Sequence, residues 1–346
     1  VAALTLVSPA AAQNGARPSQ DSRSLGALHA EALRLDPRRQ QLALEERATD
    51  LRLRNIDADR LPTLSLNGQA QHQSTVTTLP LALPGTTIPV PPHDTYDAHL
   101  GVEEPLFDPS LAPRRAVERA RLQESQAQIR TSLFSLRHEL DDAFFDAASL
   151  QERIAVIDAA IAGLDARLRE TARRFREGAA TPGDTSMVAA TLLQRRQDRL
   201  QLDADRVAAL ARLSSLAGRQ IDDEERLVVP DLAAAATRAA RALDTLRARP
   251  EFDQFRATRD RLARQEEAVS AEDRPRVSAF GRLGHGRPGL DMLSSDFQSY
   301  WLAGVQLQWT PWRWGTASRD RALLEIDRAV TATNEAAFAR SLQRAV

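Results

Sequence analysis

Apolar residues recur at heptad spacing through the middle of the chain. Leu133, Leu140, Ala147, Ile154, Ile161, Leu168 and Phe175 occupy one position of the repeat, and Leu136, Ala143, Leu150, Ile157, Leu164 and Thr171 the other. This spacing predicts a helix over 113–175, about 95 Å long. Prolines at 109 and 113 open it, and Gly178 with the Thr-Pro-Gly-Asp run at 181–184 closes it. A second stripe, Phe134, Ala148, Ala155 and Ala162 with Phe145, Ala159 and Ala166, lies roughly 150° away around the helix. It implies a neighbour on each side, as in the wall of a tube, although an exposed alanine face chosen for helix propensity reads the same way. From Met187 to Gly218 the chain returns antiparallel, with Leu193, Leu200, Val207, Leu210 and Ala217 on one stripe.

Elsewhere the period changes from helical to two. Leu64, Leu66, Gly68 and Ala70 alternate with Ser65, Asn67, Gln69 and Gln71, and Val277, Ala279, Gly281 and Leu283 alternate with Ser278, Phe280 and Arg282. These predict strands near 63–73 and 276–284. Partners follow near 95–107 (Tyr96, Ala98, Leu100, Val102) and 299–309 (Trp301, Ala303, Val305, Leu307, Trp309), across loops at 75–94 and 285–298. The two strand pairs belong to one duplicated pattern. Leu33, Arg34, Pro37, Ala58, Pro62, Ser65 and Gly68 recur as Leu246, Arg247, Pro250, Ala271, Pro275, Ser278 and Gly281, always at the offset that separates Pro37 from Pro250. In each copy an Ala/Arg/Glu-rich helix runs into a proline and then a strand. So long a period indicates duplication, not a solenoid.

Each strand has about the 9 to 11 residues that cross an outer membrane. Tyr96, Phe107, Tyr300, Trp301, Trp309 and Trp312, with Trp314, fall near strand ends, where aromatic girdles sit. The strands alone are equally compatible with a soluble β-layer holding core aromatics.

Composition narrows the chemistry. The net charge of −1 offers no footprint for nucleic acid. Every cation is arginine, which excludes P-loop, Schiff-base and general-base lysines, and the absence of cysteine excludes disulfides and thiolate sites. Residues 1–12 read as a signal-peptide remnant, an apolar run ending in Ala10-x-Ala12, with an apolar disordered start as the alternative. No stretch has the roughly 18 apolar residues of a spanning helix. Gly284-x-Gly286-x-x-Gly289 matches a dinucleotide fingerprint but opens no helix, so it reads as loop. The histidines at 29, 72, 93, 99, 138 and 285 lack paired ligand spacing and read as surface residues. Ser186 has no partnered histidine. No catalytic, cofactor or metal residues are expected, and the run 222–225 reads as a solvated connector.

Leu61-Pro62-x-Leu64, Pro105-Leu106-Phe107-Asp108, Arg174-Phe175-x-x-Gly178-x-x-Thr181-x-x-Asp184, Leu213-x-x-Leu216-x-Gly218, Arg249-Pro250-Glu251 and Arg274-Pro275-x-Val277, in this order, resemble the outer membrane efflux protein family, the TolC-like channels. The likeness runs from about residue 24 to the end. It implies a mainly α chain with β: a homotrimer whose protomers each give four strands to a twelve-stranded barrel and long antiparallel hairpins to an α-barrel. The expected repeats are 13–230 (strand hairpin 62–107, helical hairpin 109–219) and 231–346 (strand hairpin 275–310). The second has only the residues from Trp312 onward for its helices, which reads as a fragment or a truncated product.

The resemblance further implies an outer-membrane conduit with a long periplasmic extension. It would be passive and not an enzyme, serving a tripartite efflux or type I secretion system with a periplasmic adaptor and an inner-membrane pump. A soluble periplasmic coiled-coil adaptor or structural protein is the alternative. The implied tip and aperture comprise Arg174, Phe175, Gly178, Thr181 and Asp184. Asp184 reads as a helix N-cap, and as part of a carboxylate ring in a trimer, with Arg173, Arg174 and Arg176 in reach as ion partners.

Overall fold

The computed structural model describes residues 24–77, 90–242, 248–291 and 294–345. The signal-peptide reading of 1–12 lies outside them. Among the described residues the elements follow in the order α1 (Leu25–Leu35), α2 (Arg38–Ala58), β1 (Thr63–His72), β2 (Asp94–Phe107), α3 (Leu111–Arg176), α4 (Pro182–Ala217), α5 (Leu232–Ala242), α6 (Pro250–Glu272), β3 (Arg276–Arg287), β4 (Gln298–Gln308) and α7 (Thr316–Ala345). They fall into two compact units, one of 1–41 with 129–248, the other of 42–128 with 249–346.

The first unit is built on α3, α4 and α1. At 66 residues α3 is about 100 Å long. Its heptad positions Leu136, Leu140, Ala143 and Ala147 are buried, together with Phe144 and Ala148. Leu28 and Ala32, one turn apart on α1, pack onto this section with Leu210, Leu213 and Ala217 of α4 and with Ile221 and Leu227 beyond it. The connector after α4 is pinned by polar contacts. Arg219 reaches Glu31 (3.0 Å) and the buried Glu225 (3.0 Å). Gln151 grips Leu227 at both backbone groups, accepting from its N–H at 3.0 Å and donating to its carbonyl at 3.4 Å.

Two expectations for this unit need correction. The return helix begins at Pro182, five residues before Met187, because the Thr181-Pro182 pair is itself a helix start. Only part of the expected stripe is buried: Leu210 and Ala217 are, together with Leu192, Leu202 and Leu213, whereas Leu193, Leu200 and Val207 are exposed. The facing stripe contains arginines, which a search for apolar residues passes over. Arg199 joins Asp158 of α3 at 2.7 Å while also pairing with Asp203, and Arg196 joins Asp165 at 3.0 Å. The guanidinium of Arg199, hydrogen-bonded first by Asp203 and then by Asp158, is held even more firmly protonated than an ordinary arginine. Of the second α3 stripe, Ala148 is buried while Ala155, Ala159, Ala162 and Ala166 are exposed.

In the second unit the duplicated pattern is visible in the elements. β1 begins at Thr63 and β3 at Arg276, the same offset that separates Pro37 from Pro250. Each follows a helix stopped by a proline: α2 ends at Ala58 before Pro62, and α6 at Glu272 before Pro275. The α2/α3 pair is tied by Arg114 to Asp59 (2.8 Å), Arg115 to Asp57, and Gln126 donating to Glu46 (2.9 Å). The α6/α7 pair is tied by Arg328 to Glu266 (2.6 Å), Arg259 to Glu335, and Phe338 edge-on to Phe252.

The sheet is antiparallel throughout, in the order β1-β2-β3-β4. β3 runs three residues past its expected end, so Gly286 joins Gly284 in the strand instead of lying in the loop. Their lack of side chains explains the close approach. A Cβ on Gly284 would strike the Tyr300 ring, and one on Gly286 would come within 2.8 Å of the Tyr96 carbonyl.

Candidate functional site

The ladder register assigns every strand residue to one of two faces. Leu66 pairs with Leu100, Leu100 with Leu283 and Leu283 with Trp301; one step on, Leu64, Val102, Gly281 and Ala303 align. Because side chains alternate, one face carries Leu64, Leu66, Ala70, Tyr96, Ala98, Leu100, Val102, Val277, Ala279, Leu283, Trp301, Ala303, Val305 and Leu307. Much of it is open: Leu66 is 82% exposed, Trp301 74% and Val305 67%. An apolar face spread over four strands far exceeds the isolated exposed side chains of a water-soluble surface. Glu104 breaks it near the end next to the helices.

The opposite face carries Ser65, Asn67, Gln69, Gln71, Asp97, His99, Arg282, Tyr300, Gln306 and Gln308, and its polar groups bond to one another. Asn67 donates to Ser65 (3.2 Å), Gln69 donates to Gln71 (3.0 Å), and Asp97 accepts from His99 (2.6 Å) and from the Tyr300 hydroxyl. Tyr300 therefore departs from the expected girdle: its ring lies over Gly284 on the polar face.

Apart from Trp301, the remaining expected aromatics stand at two levels. Phe107, Trp309 and Trp312 sit at the end next to the helices, with Trp309 donating to the Asp273 carbonyl (3.0 Å) and Trp312 edge-on to Trp314. Tyr96 stands near the other end, stacked on Phe297 with centroids 6.0 Å apart, whereas Trp301 lies in the row of Leu66, Leu100 and Leu283 near the middle of the sheet, away from the expected girdle. Eleven residues separate Tyr96 from Phe107. That is about 36 Å along the strand, or about 25 Å in height at the usual barrel tilt of 40 to 45°. This matches the apolar band of an outer-membrane barrel. Among the described residues no helix is long and apolar enough to cross a membrane.

The tip of the α3/α4 hairpin is built entirely from capping. Gly178, at φ +75°, ends α3: its N–H donates to the Phe175 carbonyl (3.0 Å) and the Ala179 N–H to the Arg174 carbonyl (2.8 Å), a Schellman closure. The N-cap of α4 is Thr181 and not Asp184. Asp184 occupies the third helical position and completes a capping box. Its carboxylate accepts from the Thr181 N–H (2.8 Å) and hydroxyl (2.7 Å), and its own N–H donates back to the Thr181 hydroxyl oxygen (3.2 Å). The Thr181 hydroxyl, then its backbone N–H, and Arg174 at longer range hold the Asp184 carboxyl below the ordinary range. The neighbouring arginines are engaged elsewhere: Arg173 by Glu170 and Glu177, and Arg176 by the Ala172 carbonyl. Arg174, Phe175, Gly178, Thr181 and Asp184 are all exposed.

A family model described as outer membrane efflux protein matches residues 28–219, more than half of the 346 residues. The chain belongs to that family. The fold is shared with solved structures at low identity. The outer membrane protein VceC of Vibrio cholerae is 16% identical, with a TM-score of 0.64 over 92% of this chain and 76% of that one. The CmeC outer membrane channel of Campylobacter jejuni is 13% identical, with 0.64 over 92% and 68%. The MtrE outer membrane channel of Neisseria gonorrhoeae is 17% identical, with 0.60 over 92% and 71%. Among curated protein sequences none matches. As a TolC-like efflux channel protein, the chain has a natural use for a sheet apolar on one face and polar on the other. The order of the strands and the α3/α4 hairpin were readable from the sequence; the end of β3, the cap assignment and the turned Tyr300 were not.

Proposed function

We propose that the chain is the outer-membrane conduit of a tripartite efflux or type I secretion system. It would assemble as a homotrimer and pass small molecules or proteins from an inner-membrane pump through a periplasmic adaptor to the outside. The observation that carries this reading is the two-faced sheet. An outward apolar face between two aromatic levels suits lipid, and a polar face of Ser, Asn, Gln, Asp, Arg and Tyr suits a water-filled lumen. Four strands leave two open edges, and unpaired backbone groups in hydrocarbon cost several kcal/mol each, so a spanning sheet must close with copies of itself. The α3/α4 hairpin supplies the periplasmic extension, and residues 174–184 its aperture. The two repeats, 13–230 and 231–346, each contribute one strand hairpin. Transport is driven by the pump, and this chain acts as a passive pore.

Membrane fractionation and planar-bilayer recording test the reading together. The protein should sediment with the outer membrane, leave detergent as a trimer and conduct ions. A monomer recovered from the soluble periplasmic fraction would overturn it. Crosslinking in cells should capture the adaptor at residues near 174–184.

A further inference from the structure

On the polar face of the sheet, charged side chains from neighbouring strands gather at one place. Asp97 and His99 stand on β2, Arg282 on β3 and Tyr300 on β4, in adjoining rows of the ladder. The Tyr300 ring crosses β3 where Gly284 leaves room. Its hydroxyl donates to one oxygen of Asp97, and the Nδ1 of His99 donates to the other (2.6 Å). Gly286 makes a similar allowance, since a Cβ there would come within 3.0 Å of the Asp97 carboxylate. Arg282 is exposed and close enough to act electrostatically on both Asp97 and Tyr300, yet it bonds to neither. These bonds fix the state of the imidazole. An ionised carboxylate only accepts, so His99 carries its hydrogen on Nδ1 and presents the lone pair of Nε2. A further proton can enter at Nε2 without breaking any bond of the cluster, and histidine is the side chain that ordinarily changes charge between about pH 5 and 8. With His99 neutral, the charges of Asp97 and Arg282 cancel. With His99 protonated, the cluster is cationic. Of the other groups packed along this face, Asn67 and Gln69 of β1 are neutral, and Glu103 of β2 is exposed in the row next to Arg282, toward the helices.

We propose that Asp97, His99, Arg282 and Tyr300 form the part of the lumen wall that sets selectivity between anions and cations. His99 takes up the charge, Arg282 supplies a permanent one, and Asp97 and Tyr300 are positioning residues that hold the imidazole. The inference rests on the conduit reading, which turns this face toward water. Each protomer of the proposed homotrimer brings one such cluster to the same level of the pore, so acidification adds positive charge as a ring and favours the passage of anionic solutes. The reach of that ring depends on salt. Screening acts over about 30 Å at about 10 mM salt and over only about 3 Å at about 1 M, where the charges are felt at the wall alone. His285 lies on the other face, against Ser299 (3.1 Å), and takes no part.

Reversal potentials of the assembled pore in planar bilayers, recorded under a KCl gradient between about pH 8 and about pH 5.5, test the inference, because carboxylates such as Glu103 ordinarily titrate below that window. A change of about half a kT in the lumen potential alters the ratio of anions to cations about 3-fold. Chloride-over-potassium permeability should therefore rise about 3-fold on acidification at about 10 mM salt and hardly at all at about 1 M. This comparison needs no variant. His99→Gln keeps a donor for Asp97 but cannot gain the proton, and should flatten the step. Arg282→Gln should lower the ratio at both pH values and keep the step, and His285→Gln should change neither. Tyr300→Phe should move the midpoint of the step, which a merely structural tie would leave in place. A conducting pore whose ratio ignores pH at low salt, or a step of equal size in His99→Gln, would overturn this inference alone. A protein that does not conduct at all would bring down the conduit reading with it.

Discussion

Asp184 stands at the third position of α4, where its carboxylate closes the capping box with Thr181 at the exposed tip of the hairpin. Asp184→Ala in the assembled protein is expected to raise single-channel conductance, or leak to large antibiotics, with the trimer's heat stability nearly unchanged. Conductance equal to wild type with stability lost would make the residue purely structural. Thr181→Ala removes the cap proper and should lower hairpin stability by about 1 kcal/mol, read as a shifted denaturation midpoint. The capping contribution of Asp184 follows from its depressed carboxyl. It is fully present above the ordinary value of 3.8 and lost as pH falls below that through the folded-state value. Hydrogen-exchange protection of the first turn of α4 should therefore be flat at neutral pH and fall only in strong acid.

On the sheet, Ala303→Arg places a charge on the apolar face in the row of Val102, midway between Tyr96 and Phe107, and should cost roughly 2 to 4 kcal/mol, whereas Gln306→Arg on the polar face should be tolerated. Equal tolerance, measured by refolding into lipid, would contradict the assignment of faces. The period of two made these faces readable without coordinates. Alternation overrides aromatic identity at Tyr300: it sits one residue from Trp301 and must point the other way.

Among the elements, α4 packs through a face that its apolar pattern does not mark. A stripe of Leu193, Leu200 and Val207 is periodic and apolar, yet it faces outward, and the inward stripe is held partly by Arg199 and Arg196. Hydrophobicity cannot mark a face whose contacts are ion pairs across 31 to 41 residues of sequence. The β3 extension was hidden similarly, since Gly284 and Gly286 look like loop until Tyr300 is seen lying over them. The connector run 222–225 reads as solvated, but Glu225 is buried against Arg219. Arg219→Ala should strand that carboxylate and destabilise the first unit by about 3 kcal/mol, while Arg219→Met with Glu225→Leu should be neutral or stabilising. Phe144→Ala, at a fully buried position among α1, α3 and α4, should cost about 3 to 5 kcal/mol. Denaturant titration followed by far-ultraviolet circular dichroism checks all three.

For the molecule as a whole, the order of strands, helices and turns is written in the chain, and the proposed homotrimer accounts for the faces left bare. Leu193, Leu200, the exposed alanines of α3 and the apolar sheet face all lack cover within one copy. The two outer strands of the open sheet also set a constraint in time. On the proposed reading, a newly exported protomer carries unpaired backbone along β1 and β4 and an apolar face between them, so it is an adhesive intermediate for as long as it remains single. Membrane entry and mutual capture must then coincide. The yield of functional pores should rise more steeply than linearly with protomer supply when export is slow, and fall to aggregation when supply outruns insertion.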